Sequence, residues 1–132
     1  VIAMLSFSNF GSSNHPMANK VERAVKFLRR SNPDLIVDGP IQSDFALNKM
    51  MLKNKFDDSK LGNQKVNVLV FPNLDAANIT YKVIKELDGA KSIGPIMMGM
   101  DKPVHVLQLK ASVEEIVNMS AIAVVDAQSR KD

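Results

Sequence analysis

The chain alternates between short apolar runs and longer stretches in which apolar residues recur every three or four positions, the pattern of strands interleaved with amphipathic helices. Residues 2–7 (I-A-M-L-S-F) form a near-continuous apolar run that predicts a buried strand. The run opens the sequence with no initiator Met and no cap before it, as a buried strand reads when the chain is cut within it, so the natural start is expected upstream. A loop of small polar residues follows and ends at Pro16, a residue suited to a helix's first turn. Val21, Ala24, Val25 and Leu28 then recur at helical spacing, with Lys20, Glu22, Arg23, Lys26, Arg29 and Arg30 between them, and Asn32-Pro33 stops the pattern. The basic face reads as a solvated one, with an anion site as the alternative.

Residues 35–37 predict a short strand running into a turn at Asp38-Gly39-Pro40. Ser43 is expected to cap a second helix carrying Phe45, Leu47, Met50 and Met51, the two Met as core filling. After a polar stretch with a turn at Gly62-Asn63, residues 66–71 (V-N-V-L-V-F) predict a third strand ended by Pro72. Asp75 is the expected N-cap of a helix through Ile79, Tyr81, Val83, Ile84 and Leu87, closed by Gly89. Residues 92–98 read as a strand interrupted by Gly94-Pro95, and residues 104–109 as one more. Ser112 and Glu115 form a capping box opening a helix whose Ile116, Val117, Ile122, Val124 and Val125 leave little polar surface, so it is expected to be buried.

Strands alternating with helices at this spacing imply an open α/β sheet with crossover connections. Ligands of such sheets collect at strand carboxyl ends, here the loops 8–13, 38–42, 72–78 and 94–104. All four are rich in Gly, Ser, Asn, Asp and Pro, a composition that turn chemistry also explains.

Composition narrows the function classes. With 132 residues and 45% hydrophobic content, the chain suits one compact domain. Its 17 Lys and Arg are interleaved with 14 Asp and Glu for a net charge of +3, and aromatics make up 5% with no Trp, so nucleic acid is not an expected partner. Nor is a membrane, since no run approaches the roughly 20 apolar residues that span a bilayer. The absence of Cys excludes disulfides and thiolate metal sites and fits a cytoplasmic setting. His15 and His105 each lack a second ligand at metal-binding spacing, so no metal is assigned. No G-x-G-x-x-G, Walker or G-x-S-x-G motif is present; the stretch from Gly94 to Gly99 reads G-P-I-M-M-G, which makes no phosphate cradle.

Five blocks in order carry a family resemblance: A-M-L-S-F-S, P-D-L-I-V-D-G-P-I-Q-S-D, V-N-V-L-V-F-P-N-L-D-A-A-N-I-T-Y-K, I-G-P-I-M-M-G-M-D-K-P-V and S-V-E-E-I-V-N. Together they resemble the C-terminal half of phosphate acetyl/butyryltransferases (phosphotransacetylases). The resemblance implies a three-layer α/β/α, isocitrate/isopropylmalate dehydrogenase-like fold, of which the chain is the C-terminal portion, with a cleft between two subdomains. It also implies movement of an acyl group between phosphate and coenzyme A.

In active members the segment after K-P-V reads roughly N-D-L-S-R-G, whose Ser-Arg pair holds the acyl phosphate. By that resemblance Gln108 stands at the Ser position and Leu109 at the Arg position, with Lys110 next to them. Leu offers no donor to the phosphate or to the charge that develops as thiolate attacks. Losing one such donor typically costs on the order of 3 to 4 kcal/mol of transition-state stabilisation. Glu115 matches the carboxylate that takes the coenzyme A thiol proton, although the capping box alone would place a Glu there. Asn78 and Lys82 match the family's N-I-x-Y-K, with helix-terminal hydrogen bonding and a solvated Lys as the structural alternative. Ser8 and Ser12 in the first strand-end loop complete the ligand-binding candidates with Asn78, Lys82 and Lys110.

The kept scaffold with a lost pair, and the stretches P-V-H-V-L-Q and N-M-S-A-I-A-V-V-D-A-Q, look most like the C-terminal domain of hybrid NAD(P)-dependent malic enzymes. That likeness implies a domain that senses acetyl-CoA and supports homo-oligomer formation. It needs no cofactor in this stretch, while NADP and a divalent metal belong to a malic-enzyme domain upstream. The alternative is an active phosphate acetyl- or butyryltransferase.

Overall fold

The computed structural model describes residues 1–129 and is mixed α/β with one small parallel sheet. Its elements are β1 (Ile2–Leu5), α1 (Pro16–Ser31), β2 (Val37–Ile41), α2 (Ser43–Leu47), α3 (Lys49–Lys55), β3 (Val68–Val70), α4 (Leu74–Asp88) and α5 (Val113–Ser129). They fall into two compact units, Val1–Lys82 and a second beginning at Val83.

In the first unit the strand order is β2-β1-β3, all parallel, so both connections cross over through helices as the alternating pattern requires. Period-2 alternation along β1 divides the core. Met4 packs with Val37 and with Val21 and Val25 of α1 on one side. Ala3 and Leu5 face the other, with Ile41, Phe45, Ala46, Leu52 and Leu61. Phe10, Phe45 and Phe56 close that side edge to face, with ring centroids 4.9 Å and 5.2 Å apart.

Several sequence expectations are corrected by tertiary context. The second strand starts only at Val37, two residues later than expected, and runs through the anticipated turn to Ile41, because the pairing of β1 with β2 slips between Ala3 and Leu5 and so absorbs Gly39-Pro40. The helix expected from Ser43 is two short helices: Asn48 leaves the helical region and its Oδ1 accepts from the Met51 amide, capping α3. Ser43 is the first helical residue and not the cap, which falls at Gln42. Met50 is 75% exposed and does not fill the core. At α4 the capping side chain is Asn73, whose Oδ1 accepts from the Ala76 amide at 2.8 Å, not Asp75. Neither residues 92–98 nor residues 104–109 form a strand.

Helix α1 begins where Pro16 predicts, with His15 Nδ1 accepting from the Met17 amide, and Gly89 follows α4 with a φ of +59°. The capping box of α5 is formed in both directions: the Ser112 amide donates to Glu115 Oε2 at 2.7 Å and the Glu115 amide to Ser112 Oγ at 3.2 Å. The expected burial of α5 is not found, since Val117, Val124 and Val125 are exposed and only Met119 is buried.

Gly39 is the one position where a side chain has no room. Its φ is +143°, and a Cβ there would lie 2.4 Å from the Met4 carbonyl oxygen and 2.9 Å from Met4 Cβ. Gly39→Ala is expected to destabilise the first unit by on the order of 4 kcal/mol, combining backbone strain with overpacking. Gly11→Ala, at φ +84° with nothing within 4 Å of the new Cβ, should lose only about 1 kcal/mol. Urea unfolding midpoints of the two variants test the contrast; equal midpoints would show that β1 and β2 can separate at Gly39 without penalty.

Candidate functional site

The first unit places a cleft of about 320 Å³ at the carboxyl ends of β1 and β3. Ser6 and Phe7 come from the end of β1, Asn73 from the turn after β3, and Met17, Ser43 and Thr80 from α1, α2 and α4. These loops reach the same place because parallel strands all end on one edge of the sheet. None of the side chains lining the cleft is charged.

Beside it, the Ser8–Ser12 loop satisfies itself. Ser8 is 2% exposed, its Oγ lies 2.9 Å from Ser12 Oγ, and Ser12 Oγ also accepts from the Asn9 amide at 3.0 Å. Asn9 and Gln42 clamp this loop to the end of β2: Asn9 Nδ2 donates to Gln42 Oε1 at 2.7 Å, and the Gln42 amide donates to Asn9 Oδ1 at 2.8 Å. Gln42 Nε2 adds a bond to the Phe7 carbonyl at 2.7 Å. Ser8 and Ser12 therefore shape the loop with their hydroxyls and do not line the cleft. The clamp has no signal in the sequence, since Asn9 and Gln42 are 33 positions apart and nothing local pairs them.

Asn78 and Lys82 are exposed on α4, one turn apart. The cleft is lined by Ala76 and Thr80 of the same helix, and a residue two positions on from either lies about 200° around the axis. Asn78 and Lys82 thus occupy a different face from the one that borders the cleft.

In the second unit, Leu109 and Lys110 form a turn closed by the Ala111 amide, which donates to the Gln108 carbonyl at 3.0 Å. Gln108 and Lys110 are exposed, and Leu109 projects fully into solvent. Glu115 lies beyond the turn, in a recess of about 380 Å³ lined also by Lys85, Lys91, Ser92, Ser112 and Asn118. The Ser112 amide and hydroxyl, and more weakly Lys85 at 3.8 Å, hold the Glu115 carboxyl below its usual range. Glu114 lies 2.6 Å from Lys91 and raises the pKa of that ammonium. Lys85 as the partner of Glu115 has no sequence signal, the two being 30 positions apart.

His105 is the second unexpected feature. Its side chain is only 4% exposed, Nε2 stands 3.6 Å from Asp126 Oδ2, and neither ring nitrogen has a hydrogen-bond partner. Among the described residues no group of three or more His, Asp or Glu could hold a metal ion. No helix there is long and apolar enough to cross a membrane.

The family profile described as Phosphate acetyl/butaryl transferase matches residues 1–124. The NADP-dependent malic enzyme of Escherichia coli is 42% identical over 130 residues, covering 98% of this chain and 17% of that protein. The phosphate acetyltransferase of Clostridium acetobutylicum is 43% identical over 127 residues, covering 96% of this chain and 38% of the other. Among solved structures, a phosphotransacetylase from Streptococcus pyogenes superposes with a TM-score of 0.88 at 39% identity, over 99% of this chain and 39% of that one. The chain thus spans about a sixth of the malic enzyme and under two-fifths of the transferases it matches. On the match over residues 1–124 and these identities, the chain belongs to the phosphate acetyl/butyryltransferase family.

Proposed function

We propose that this chain is part of an acetyl-CoA-responsive, oligomerising domain of an NADP-dependent malic enzyme, working in the cytoplasm, and that it does not transfer acyl groups itself. The observation that carries this reading is the neutrality of the strand-end cleft. Its lining offers hydroxyls, one amide and the apolar surfaces of Phe7, Met17 and Phe71, and the ammonium nearest to it, Lys20, is committed to the Pro72 carbonyl at 2.7 Å. Such a surface suits an acyl or amide-bearing arm. A phosphoryl group in transfer needs donors and cations aimed at its oxygens. Leu109, at the position where the resemblance expects Arg, supplies neither. The NADP site, the divalent metal and malate chemistry belong in this reading to polypeptide outside the chain, and the finer three-layer isocitrate dehydrogenase-like architecture is part of the same proposal.

A second reading, an active phosphate acetyl- or butyryltransferase, is favoured by the 43% identity to the clostridial enzyme and by Lys110 beside Leu109. In it Lys110 carries the charge of the missing Arg and Glu115 takes the thiol proton. The lowered pKa of Glu115 counts against the second role, since a carboxylate stabilised in its charged form is the weaker base.

In the natural full-length polypeptide, saturating acetyl-CoA should change the rate of malate oxidation about 5- to 150-fold, the usual span of an allosteric coupling. An unchanged rate, measured by NADPH formation across an acetyl-CoA titration, removes the regulatory reading. Acetyl-CoA formation from acetyl phosphate should be undetectable in the same protein. Turnover that is abolished by Lys110→Ala would establish the transferase instead.

The cap at Glu115 has its own pH signature. Because the folded pKa lies below the ordinary carboxylate value of about 4.3, the contribution of the cap is present above that value and fades as pH falls through the depressed one. Amide exchange at the start of α5 should therefore accelerate only below about pH 4. Glu115→Gln, which keeps the reciprocal capping geometry, should remove this acid transition while leaving the helix start formed at neutral pH. An acid transition of the same size in the variant would assign the effect to another group.

A further inference from the structure

Two side chains that line the strand-end cleft are only partly held by the core. Phe7 is 55% exposed and Met17 37%, yet both border the cleft. A side chain that exposed keeps its rotamer freedom unless a neighbour removes it. The neighbour common to both is His15. Its ring meets the Phe7 ring edge to face, with centroids 5.6 Å apart and planes at 77°. Its Nδ1 accepts from the Met17 amide at 3.2 Å, which fixes the first turn of α1 and with it the point from which the Met17 side chain leaves the helix. One turn further along, Lys20 Nζ donates to the carbonyl of Pro72, a cleft residue that follows β3. The start of α1 is therefore tied to cleft residues beyond both β1 and β3.

Capping alone does not call for an imidazole. Asn, Asp, Ser and Thr cap helices with a shorter acceptor, and none of them carries an aromatic edge to set against Phe7. His supplies an acceptor and a ring in one compact side chain. We propose that His15 is a positioning residue of the cleft, holding Phe7 through its ring and the turn that bears Met17 through Nδ1, so that a ligand meets a wall already in place. A wall ordered beforehand leaves less to be ordered on binding. This role rests on the cleft being the ligand site of the proposed function, but the contact exists without ligand and is measurable without it.

His15→Asn keeps an acceptor for the Met17 amide and removes the ring, whereas His15→Phe keeps a ring and removes the acceptor. The natural full-length polypeptide, carrying 4-fluorophenylalanine at position 7 alone, reports the wall by fluorine relaxation in the absence of ligand. The ring at position 7 should become more mobile in His15→Asn and stay as restrained as in the wild type in His15→Phe. By calorimetry, acetyl-CoA should bind His15→Asn about 2- to 10-fold more weakly, the reach of one edge-to-face contact, while exchange of the Met17 amide is unchanged. A cap with no further role would be rescued by Asn in every respect, so either wild-type mobility at position 7 or wild-type affinity in His15→Asn overturns the proposal. Mobility in His15→Phe equal to that in His15→Asn also overturns it, since a ring at position 15 would then not be what holds Phe7. If the wild-type protein takes up no acetyl-CoA, it is the reading of the cleft that fails, and the mobility at position 7 still decides the role of His15.

Discussion

The carboxylate of Asp38 is the constraint on which the first unit depends. It is 5% exposed and accepts from four donors on separate parts of the chain: the Arg29 guanidinium of α1, the Gly39 amide at 2.8 Å, Ser59 Oγ at 3.0 Å and the Lys60 amide at 2.7 Å. Arg29 Nε also donates to the Val37 carbonyl at 3.1 Å, so the same side chain straps the end of α1 to β2. A charge this deep is tolerated only when paired and fully hydrogen bonded; stripped of Arg29 it would oppose folding by roughly 3–5 kcal/mol. The network fixes Asp38 opposite Ala3, which sets the slip in register that seats Gly39 over Met4 and brings Gln42 to Asn9. The cleft at the strand ends is a downstream consequence of one carboxylate holding a helix, a strand and the turn after α3 in place.

What the sequence made legible was what short-range physics decides. Pro16, Gly89 and the Ser112–Glu115 box act within a turn of their own positions, and each helix end appears where those residues put it. The family blocks were legible because several of them coincide with strands and strand-end loops. What escaped was decided at long range. Asp38-Gly39-Pro40 has the composition of a turn and is a strand, because a slip in pairing with β1 accommodates the Pro and Asp38 finds Ser59 and Lys60 more than twenty positions away. Asn73 displaces Asp75 as a cap by being two positions earlier and outside the helix, a difference within the ordinary uncertainty of a helix boundary.

The two expected strands after Gly89 failed for a different reason. Periodicity reports which residues prefer burial and says nothing about whether a neighbour exists to bury them, so a strand pattern is a statement about a sheet as much as about a segment. The same reasoning applies to α5, whose apolar composition demands a partner that the described residues do not supply. His105 fits this picture. A buried imidazole with no hydrogen bond at either nitrogen is unfavourable by about 1–3 kcal/mol, and Met119, the one buried hydrophobic residue of this unit among those described, offers little to offset it.

The site candidates sort by the same physics. Ser8 and Ser12 are hydroxyls in a strand-end loop, a place suited to ligand contacts, but a tight loop must first satisfy its own amides, and their oxygens are taken up in doing so. Glu115 is committed in the same way to Ser112 and Lys85. The groups that no local bond requires lie elsewhere: in the first unit the uncharged lining of the cleft, and in the second the turn that exposes Leu109 and Lys110. A family scaffold can keep every residue that builds its loops while losing the ones that faced the phosphate, because the loops are held by their internal bonds and not by the ligand. Preservation of the fold at a TM-score of 0.88 therefore does not by itself decide activity, which depends on the groups that meet the ligand.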